Sequence, residues 1–307
     1  EAIDVPFPLG DIMQSSQLLK KVRQIEISAG RLVSETFAGK YHSVFKGQGM
    51  EFAEARHYVP GDDVRRIDWN ISARLGEIFI KEYREERQLT LMLVCDVSAS
   101  KYFGSTTKFK QEIMAELSAL FAFSALKNYD KVGLILFSDK LEKYIPAKKG
   151  QTHILRIIRE LLAFKPTSKG TNLTSCLETV NKIVKRHSIV LLLSDFLDKG
   201  FEKPFRFASK KHELIPVIIE DKLEINMPKT SGYLDIENPE TGEKFMYDLT
   251  SKNLNQNFIN SKQKHDNNLD KLFASLSLEH MHLSDSENML DEVVKFFRQR
   301  AKRLKKG

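Results

Sequence analysis

The sequence is short of several things, and each shortage excludes a class of protein. There are two cysteines in 307 residues, Cys95 and Cys176, and neither stands in a C-x-x-C or similar spacing. A disulfide framework and a thiolate metal site are both argued against, and a reduced, cytoplasmic setting is expected. No apolar run approaches the roughly 18 residues that would cross a bilayer. The opening "EAIDVPFPLG" lacks the basic-then-apolar order of a secretory signal. There is no G-x-x-x-x-G-K-[ST] loop, so ATP hydrolysis is not this chain's work. H-E-x-x-H and G-x-S-x-G are absent too, which removes the common zinc-peptidase and serine-hydrolase readings. No internal repeat and no low-complexity linker interrupts the chain.

Charge of one sign is scarce except at one place. The formal net charge is +7. Seven basic residues and no acidic one lie between Lys295 and Lys306, and without them 41 basic residues face 41 acidic ones. The body is neutral and a terminal helix carries the whole excess. This argues against a protein-wide nucleic-acid field. The terminal helix is expected to be a solvated end whose cations suit the C-terminal dipole, with an acidic partner or RNA bound through it as the alternative.

What is present reads as alternating strands and helices. Residues 11 to 36 have helical apolar spacing, with Ile12, Leu18, Leu19, Val22, Ile25 and Ile27. A turn-rich charged stretch follows, within which "EFAEARHYV" and "EIFIKEY" alternate like half-exposed strands. From Leu89 the texture changes. "LTLMLVCD", "KVGLILFS", "SIVLLLSD" and "HELIPVIIED" are near-continuous apolar runs, the mark of strands covered on both faces. Between and around them, "KFKQEIMAELSALFAFSALKN", "HILRIIRELLAF" and "LTSCLETVNKIVKR" read as helices, the first with Phe109, Ile113, Leu117, Leu120 and Phe121 on one side. "LEKYIP" is close enough to its predecessor to be an antiparallel hairpin edge. Further on, "GYLDIEN" and "KFMYDLT" suggest a hairpin, "NLNQNFINSKQKHDNNLDKLFASL" one or more polar helices, "SLEHMHLS" a late strand and "SENMLDEVVKFFRQRAKRLKK" a closing helix. The fold class expected is α/β, a doubly wound and mostly parallel sheet with helices on both faces. Three regions are expected: 1–88, an N-terminal helix and charged segment; 89–221, the core; and 222–307, a C-terminal extension.

The candidate site comes from "LMLVCDVSAS" at 91–100. A buried strand runs into Asp96, and Ser98 and Ser100 follow at alternate positions. In a doubly wound sheet ligands bind beyond the carboxyl ends of the strands, where these side chains should stand. Two other segments reach the same edge: "SKGTNLTS", which carries Thr171 just after Gly170, and "LLLSD", which ends in Asp195. Three hydroxyls and two carboxylates make an all-oxygen set, the kind that hard divalent cations require. If the hydroxyls ligate directly they neutralise little of the ion's charge, and an open vertex would draw a partner's carboxylate.

Asp96, Ser98, Ser100, Thr171 and Asp195, in that order, resemble the metal-ion-dependent adhesion site (MIDAS) of a von Willebrand factor A (vWA) domain. The resemblance implies a six-stranded sheet with one antiparallel edge, a Mg²⁺ (or Mn²⁺) ion at these five residues, and capture of an acidic side chain from a protein partner. One departure is Lys101, where many A domains carry Met; that position is not a ligand. "HSVFKGQGMEFAEARHYVPGDDVRRIDWNISARLGEIFIKEYREER" before the core, and "DKLEINMPKTSGYLDIENPETGE" after it, are similar to a bacterial family known only as domain of unknown function fifty-eight. Members are commonly encoded beside a MoxR-type AAA+ ATPase, so the resemblance implies such a partner, or its client. The expected function is a non-enzymatic, metal-dependent interaction module, with RNA binding and a metal-dependent hydrolase as alternatives.

Other candidates have plainer explanations. Asp96 or Thr171 could each be a helix cap. In "PGDDVRRIDW", Asp62, Asp63, Arg65, Arg66 and Asp68 are either a docking surface or a structural network, and the network is favoured with Trp69 buried beneath it. His280 and His282 alternate in a strand without further ligands nearby. Cys95 should point into the core. A haloacid-dehalogenase phosphatase would need an aspartate where Ser98 stands.

Overall fold

A computed structural model describes residues 15–34, 40–41, 44–45, 51–84, 88–99, 109–225, 232–237, 242–284 and 289–304. Its residues fall into two compact units, Phe45–Leu89 and the remainder, Glu1–Val44 with Thr90–Gly307.

The larger unit is built on six strands: β3 (Thr90–Asp96), β4 (Lys131–Phe137), β5 (Leu141–Lys148), β6 (Ile189–Ser194), β7 (Glu213–Ile219) and β10 (Met281–Leu283), in spatial order β10-β7-β6-β3-β4-β5. All neighbours pair in parallel except β4 and β5, so "LEKYIP" does form the antiparallel edge. The four continuous apolar runs are the four central strands, and β3, β4, β6 and β7 are buried almost throughout. β5, covered on one side only, alternates.

Helices cover both faces. On one lie α5 (Leu173–Ile183), α6 (Glu202–Lys211) and α8 (Lys252–Ser275), whose Leu177, Val180, Phe205 and Phe273 pack with Met92, Val94, Val190 and Leu192 of the sheet. Phe196, Phe201, Phe205 and Phe273 form an aromatic cluster there, with ring centroids 5.5–6.4 Å apart. The other face carries α3 (Lys110–Lys127), α4 (Gln151–Ala163) and α9 (Met289–Leu304); Cys95 meets Ser118 of α3, and Phe297 of α9 stacks on Phe121. Alternate residues of β3 thus serve opposite faces, as strand geometry demands.

α3 is not one-sided as its spacing suggests. It is buried nearly all round, from Ile113 to Ala125. The reason is α1 (Ser15–Leu32), which packs on the outer side of α3 and α4 and is tied there by Lys21 to Glu112, Gln151 to Glu26 and Lys127 to Ser34. A helix buried on every side is apolar on every side.

The closing helix α9 is a second correction. Its cations are not all solvated: Arg300 is buried and pairs with Glu213 and Glu279, and Arg303 pairs with Glu279 at 2.8 Å. Part of the terminal basic excess is internal bracing. β8 (Tyr233–Glu237) and β9 (Lys244–Asp248) form the expected antiparallel hairpin, and the polar segment is a single helix, α8. Among the described residues no helix is long and apolar enough to cross a membrane.

The smaller unit is an antiparallel pair, β1 (Glu51–His57) and β2 (Phe79–Arg84), joined through a 3-10 turn at 64–66 and a short helix, α2 (Trp69–Leu75). Asp62 accepts both terminal guanidinium nitrogens of Arg56, at 2.7 and 2.8 Å, and the backbone N–H of Val59. Asp63 caps the 3-10 turn through the Arg65 N–H, and Asp68 caps α2 through the N–H groups of Asn70 and Ile71. All three aspartates thus accept hydrogen bonds from within the unit. Arg65 and Arg66 are exposed, and so is Trp69, at 68%, so the tryptophan expected beneath a network lies in solvent instead. The network closes through backbone groups near Asp63 and Asp68, and that geometry leaves the indole on the outside.

Candidate metal centre

β3 comes first among the sheet strands, and the chain then winds to β4 on one side and to β6 on the other. The order reverses between β3 and β6, and a crevice opens at the carboxyl ends of such a pair. Asp96 is the last residue of β3, and Asp195 follows the last residue of β6. The sequence therefore delivers both carboxylates to the one switch point of the sheet.

Hydrogen bonds fasten three segments there. Ser194 Oγ donates to Asp96 Oδ2 at 2.8 Å, which joins the ends of β6 and β3. The Ser98 N–H donates to Asp96 Oδ1 at 2.9 Å, turning the chain just past the strand so that Ser98 comes back over the carboxylate. The Ala99 N–H donates to Lys169 O at 3.0 Å, bringing the loop that carries Thr171 alongside. That loop is itself anchored, since Glu142 accepts from Ser138 Oγ and from the N–H groups of Thr167 and Ser168. Burial works against the charge of Glu142, yet these donors outweigh it and hold its carboxyl below the usual range.

Thr171 is not the cap of α5. Asn172 is, accepting from the Ser175 N–H at 2.8 Å, while Asp198 accepts from the Leu173 N–H at 2.8 Å. The structure places Asp96, Ser98, Thr171 and Asp195 in segments that meet at one rim. Ser100 lies outside the described residues.

The electrostatics of the rim favour a cation. Asp96 is fully enclosed; burial first, and then the charge of Asp195, push its carboxyl up to about 7, against the donations from Ser98 and Ser194. Among the described residues one ammonium stands nearby. Lys110, 4% exposed, lies 3.9 Å from Asp195 Oδ2 and 2.6 Å from Glu224, on the short helix α7 (Lys222–Ile225). Burial raises the Glu224 carboxyl as well; Lys110 opposes this and Asp195 adds to it. Asp195 and Glu224 thus share the Lys110 ammonium, and Asp96 is enclosed beside Asp195.

The donors fit such an ion. Asp96, Ser98, Thr171 and Asp195 offer only hard oxygens, with hydroxyls among them, and Mg²⁺ or Mn²⁺ takes that kind of set. Among the described residues no group of three or more His, Cys, Asp or Glu side chains could hold a metal, so a site here depends on the hydroxyls. His282 pairs with Glu220 at 2.7 Å and His280 with Asp270 at 3.4 Å, which gives both histidines carboxylate partners.

Sequence reading missed Ser194, Lys110, Glu224 and Asp198. Two of them had a signal. Lys110 falls on the stripe 110, 113, 114, 117 of α3, a cation on a core-facing row. Ser194 is the one polar residue of the run "IVLLLS". Both break a burial pattern, and both serve the carboxylates. Cys95 is free and buried, as its position suggested, and Cys176 is free and buried as well.

Comparison with known proteins gives kinship without a named activity. Uncharacterized proteins of Mycobacterium tuberculosis and Mycobacterium bovis are 25% identical over 236 residues, covering 76% of this chain and 74% of theirs. Uncharacterized protein YeaD of Bacillus subtilis is 30% identical over 109 residues, 36% of this chain and 25% of that protein. Among solved structures, the conserved hypothetical protein BatB from Bacteroides thetaiotaomicron is 13% identical, with a TM-score of 0.41 over 70% of this chain and 99% of its own. The mussel-byssus proximal thread matrix protein 1, in a form with a zinc-occupied MIDAS motif, is 16% identical, with a TM-score of 0.35 over 44% of this chain and 38% of its own. Such scores carry no argument about the site, which rests on its own geometry. A family match extends over residues 54–268, across most of the strands and both parts of the candidate centre, and by it the chain belongs to the family described as Protein of unknown function DUF58.

Proposed function

We propose that this chain is a metal-dependent protein-interaction module rather than an enzyme. Asp96, Ser98, Ser100, Thr171 and Asp195 would hold a Mg²⁺ (or Mn²⁺) ion, which when bound supplies an electrophilic vertex for a carboxylate of a protein partner. The observation that carries this is the convergence of three distant segments at the β3–β6 switch point through Ser194–Asp96, Ser98–Asp96 and Ala99–Lys169. Asp96 and Asp195 supply charge, the hydroxyls supply neutral oxygens, and Lys110 keeps Asp195 and Glu224 compensated when no cation is present.

The partner class proposed is a MoxR-type AAA+ ATPase or its client, in assembly or maturation of protein complexes in the cytoplasm. Buried free cysteines accord with that compartment. A hydrolase reading would need a general base beside a metal-bound water, and the donors around Asp96 are committed to holding that carboxylate in place.

Calorimetric titration of Mg²⁺ into the full chain and into Thr171→Ala tests the reading. The variant should bind at least about tenfold more weakly, the loss of one inner oxygen donor being worth more than 1.4 kcal/mol. Equal affinity would count decisively against the assignment.

A further inference from the structure

The unit Phe45–Leu89 carries a feature that the metal centre does not use. Its aspartates are consumed internally: Asp62 by Arg56, Asp63 and Asp68 by backbone N–H groups, with Lys81 also 3.8 Å from Asp68. Arg65, Arg66 and Arg74 are exposed, and no described residue pairs with them. Beside them stand exposed apolar side chains, Val59, Val64, Trp69, Leu75 and Ile78.

Backbone bonds bring the segments around 58, 68–72 and 78–79 to one corner. The Tyr58 N–H donates to Ile78 O at 2.8 Å and the Asp68 N–H to Phe79 O at 2.9 Å, while the Phe79 N–H donates to Ser72 Oγ at 2.9 Å. Val59, Ile78 and Trp69 are each next in sequence to one of these bonded residues. An exposed indole, exposed aliphatic side chains and exposed guanidinium groups within residues 59–78 have the composition of an interface centre, where tryptophan and arginine are most enriched. Scattered single apolar residues need no explanation, but five large ones exposed within residues 59–78 do.

We infer that this corner, centred on Trp69 and flanked by Arg65, Arg66 and Arg74, docks an acidic amphipathic segment of a protein partner. Charge complementarity selects the acidic side: three exposed cations with no carboxylate partner among the described residues ask for anions. The aliphatic residues select a polypeptide. A nucleic acid could meet the arginines with phosphates and stack a base on Trp69, but it would leave Val59, Val64, Leu75 and Ile78 in water. This contact needs no cation and stands apart from the metal-dependent capture proposed above.

Trp69 is the only tryptophan, so the full chain reports on its own surface. The probes are a synthetic amphipathic peptide with leucine on one face and glutamate on the other, the same peptide with glutamine for glutamate, and oligo(dT). The free chain should show the red emission and ready acrylamide quenching of an exposed indole. The Leu/Glu peptide should shift that emission to the blue and shield it saturably, with or without EDTA. The Leu/Gln peptide should bind roughly tenfold more weakly, as should the Leu/Glu peptide to the variant R65E/R66E/R74E. Unchanged circular dichroism and Mg²⁺ binding in that variant would show that its fold is intact. Buried-type emission in the free chain, no response to the Leu/Glu peptide, or a response to oligo(dT) instead would overturn the inference.

Discussion

Ser194 Oγ donates to Asp96 Oδ2 across 2.8 Å, and this bond locks the end of one central strand to the end of its neighbour at the place where the sheet changes winding direction. Both partners are buried. Ser194→Ala leaves an enclosed carboxylate with one donor fewer, which costs about 1–3 kcal/mol. Urea unfolding without metal should show that loss. Saturating Mg²⁺ should recover part of it, since binding only to the native state adds about 2.7 kcal/mol at a hundredfold excess over Kd.

Lys110 is the only ammonium the described residues place at Asp195, and it also holds Glu224. Lys110→Met removes one partner from a buried ionic set and should destabilise the metal-free protein by about 3 kcal/mol or more. Its effect on cation binding should run the other way. With the competing ammonium gone, Mg²⁺ should raise the thermal midpoint of Lys110→Met more than that of the wild type, which differential scanning fluorimetry can measure.

Asn172 and Thr171 are adjacent but divide two tasks, the first capping α5 and the second facing the rim by assignment. Asn172→Ala should cost about 1 kcal/mol of stability and leave Mg²⁺ affinity unchanged. Thr171→Ala should weaken Mg²⁺ binding with little loss of stability. Paired unfolding and calorimetric measurements separate the two; loss of both properties in both variants would mean the loop acts as one structural piece.

His212 is buried, and neither ring nitrogen has a hydrogen-bond partner among the described residues. Burial first, then Lys211 and His187, depress its pKa from 6.5 to about 4. The folded state therefore resists a proton that the unfolded chain accepts. The stability this represents is fully present above pH 6.5 and falls away as the pH drops toward about 4, by up to about 3 kcal/mol. His212→Leu should be as stable as wild type near neutrality or more so, because it buries no unsatisfied nitrogen. Between pH 6.5 and 4 it should lose less stability than wild type in denaturant titrations.

Much of the larger unit was legible because its strands are covered on both faces and so read as unbroken apolar runs. β5 was legible for the opposite reason: it is an edge, near enough to β4 to be a hairpin. α6 was not. Its segment "EKPFRFASKK" carries Pro204 and four basic residues, and only Phe205 and Ala208 are buried. The proline does no harm because it falls in the first turn, where a backbone N–H has no helical partner. α2 was hidden by its shortness, seven residues held by an Asp68 cap rather than by a buried apolar face. At the candidate site, the segments of Asp96, Ser98, Thr171 and Asp195 were legible as two strand ends and the loop before a helix. Lys110 and Glu224 could not be tied to them, because no local pattern tells which buried lysine meets which carboxylate 114 positions away.

The most direct measurement is anomalous diffraction from crystals grown with Mn²⁺. One peak is expected at the β3–β6 rim, within bonding distance of the Ser98 and Thr171 hydroxyls and beside Asp96 and Asp195. An empty rim, or manganese bound instead at His280, His282 or another carboxylate cluster, would contradict the assignment of this rim as the metal centre.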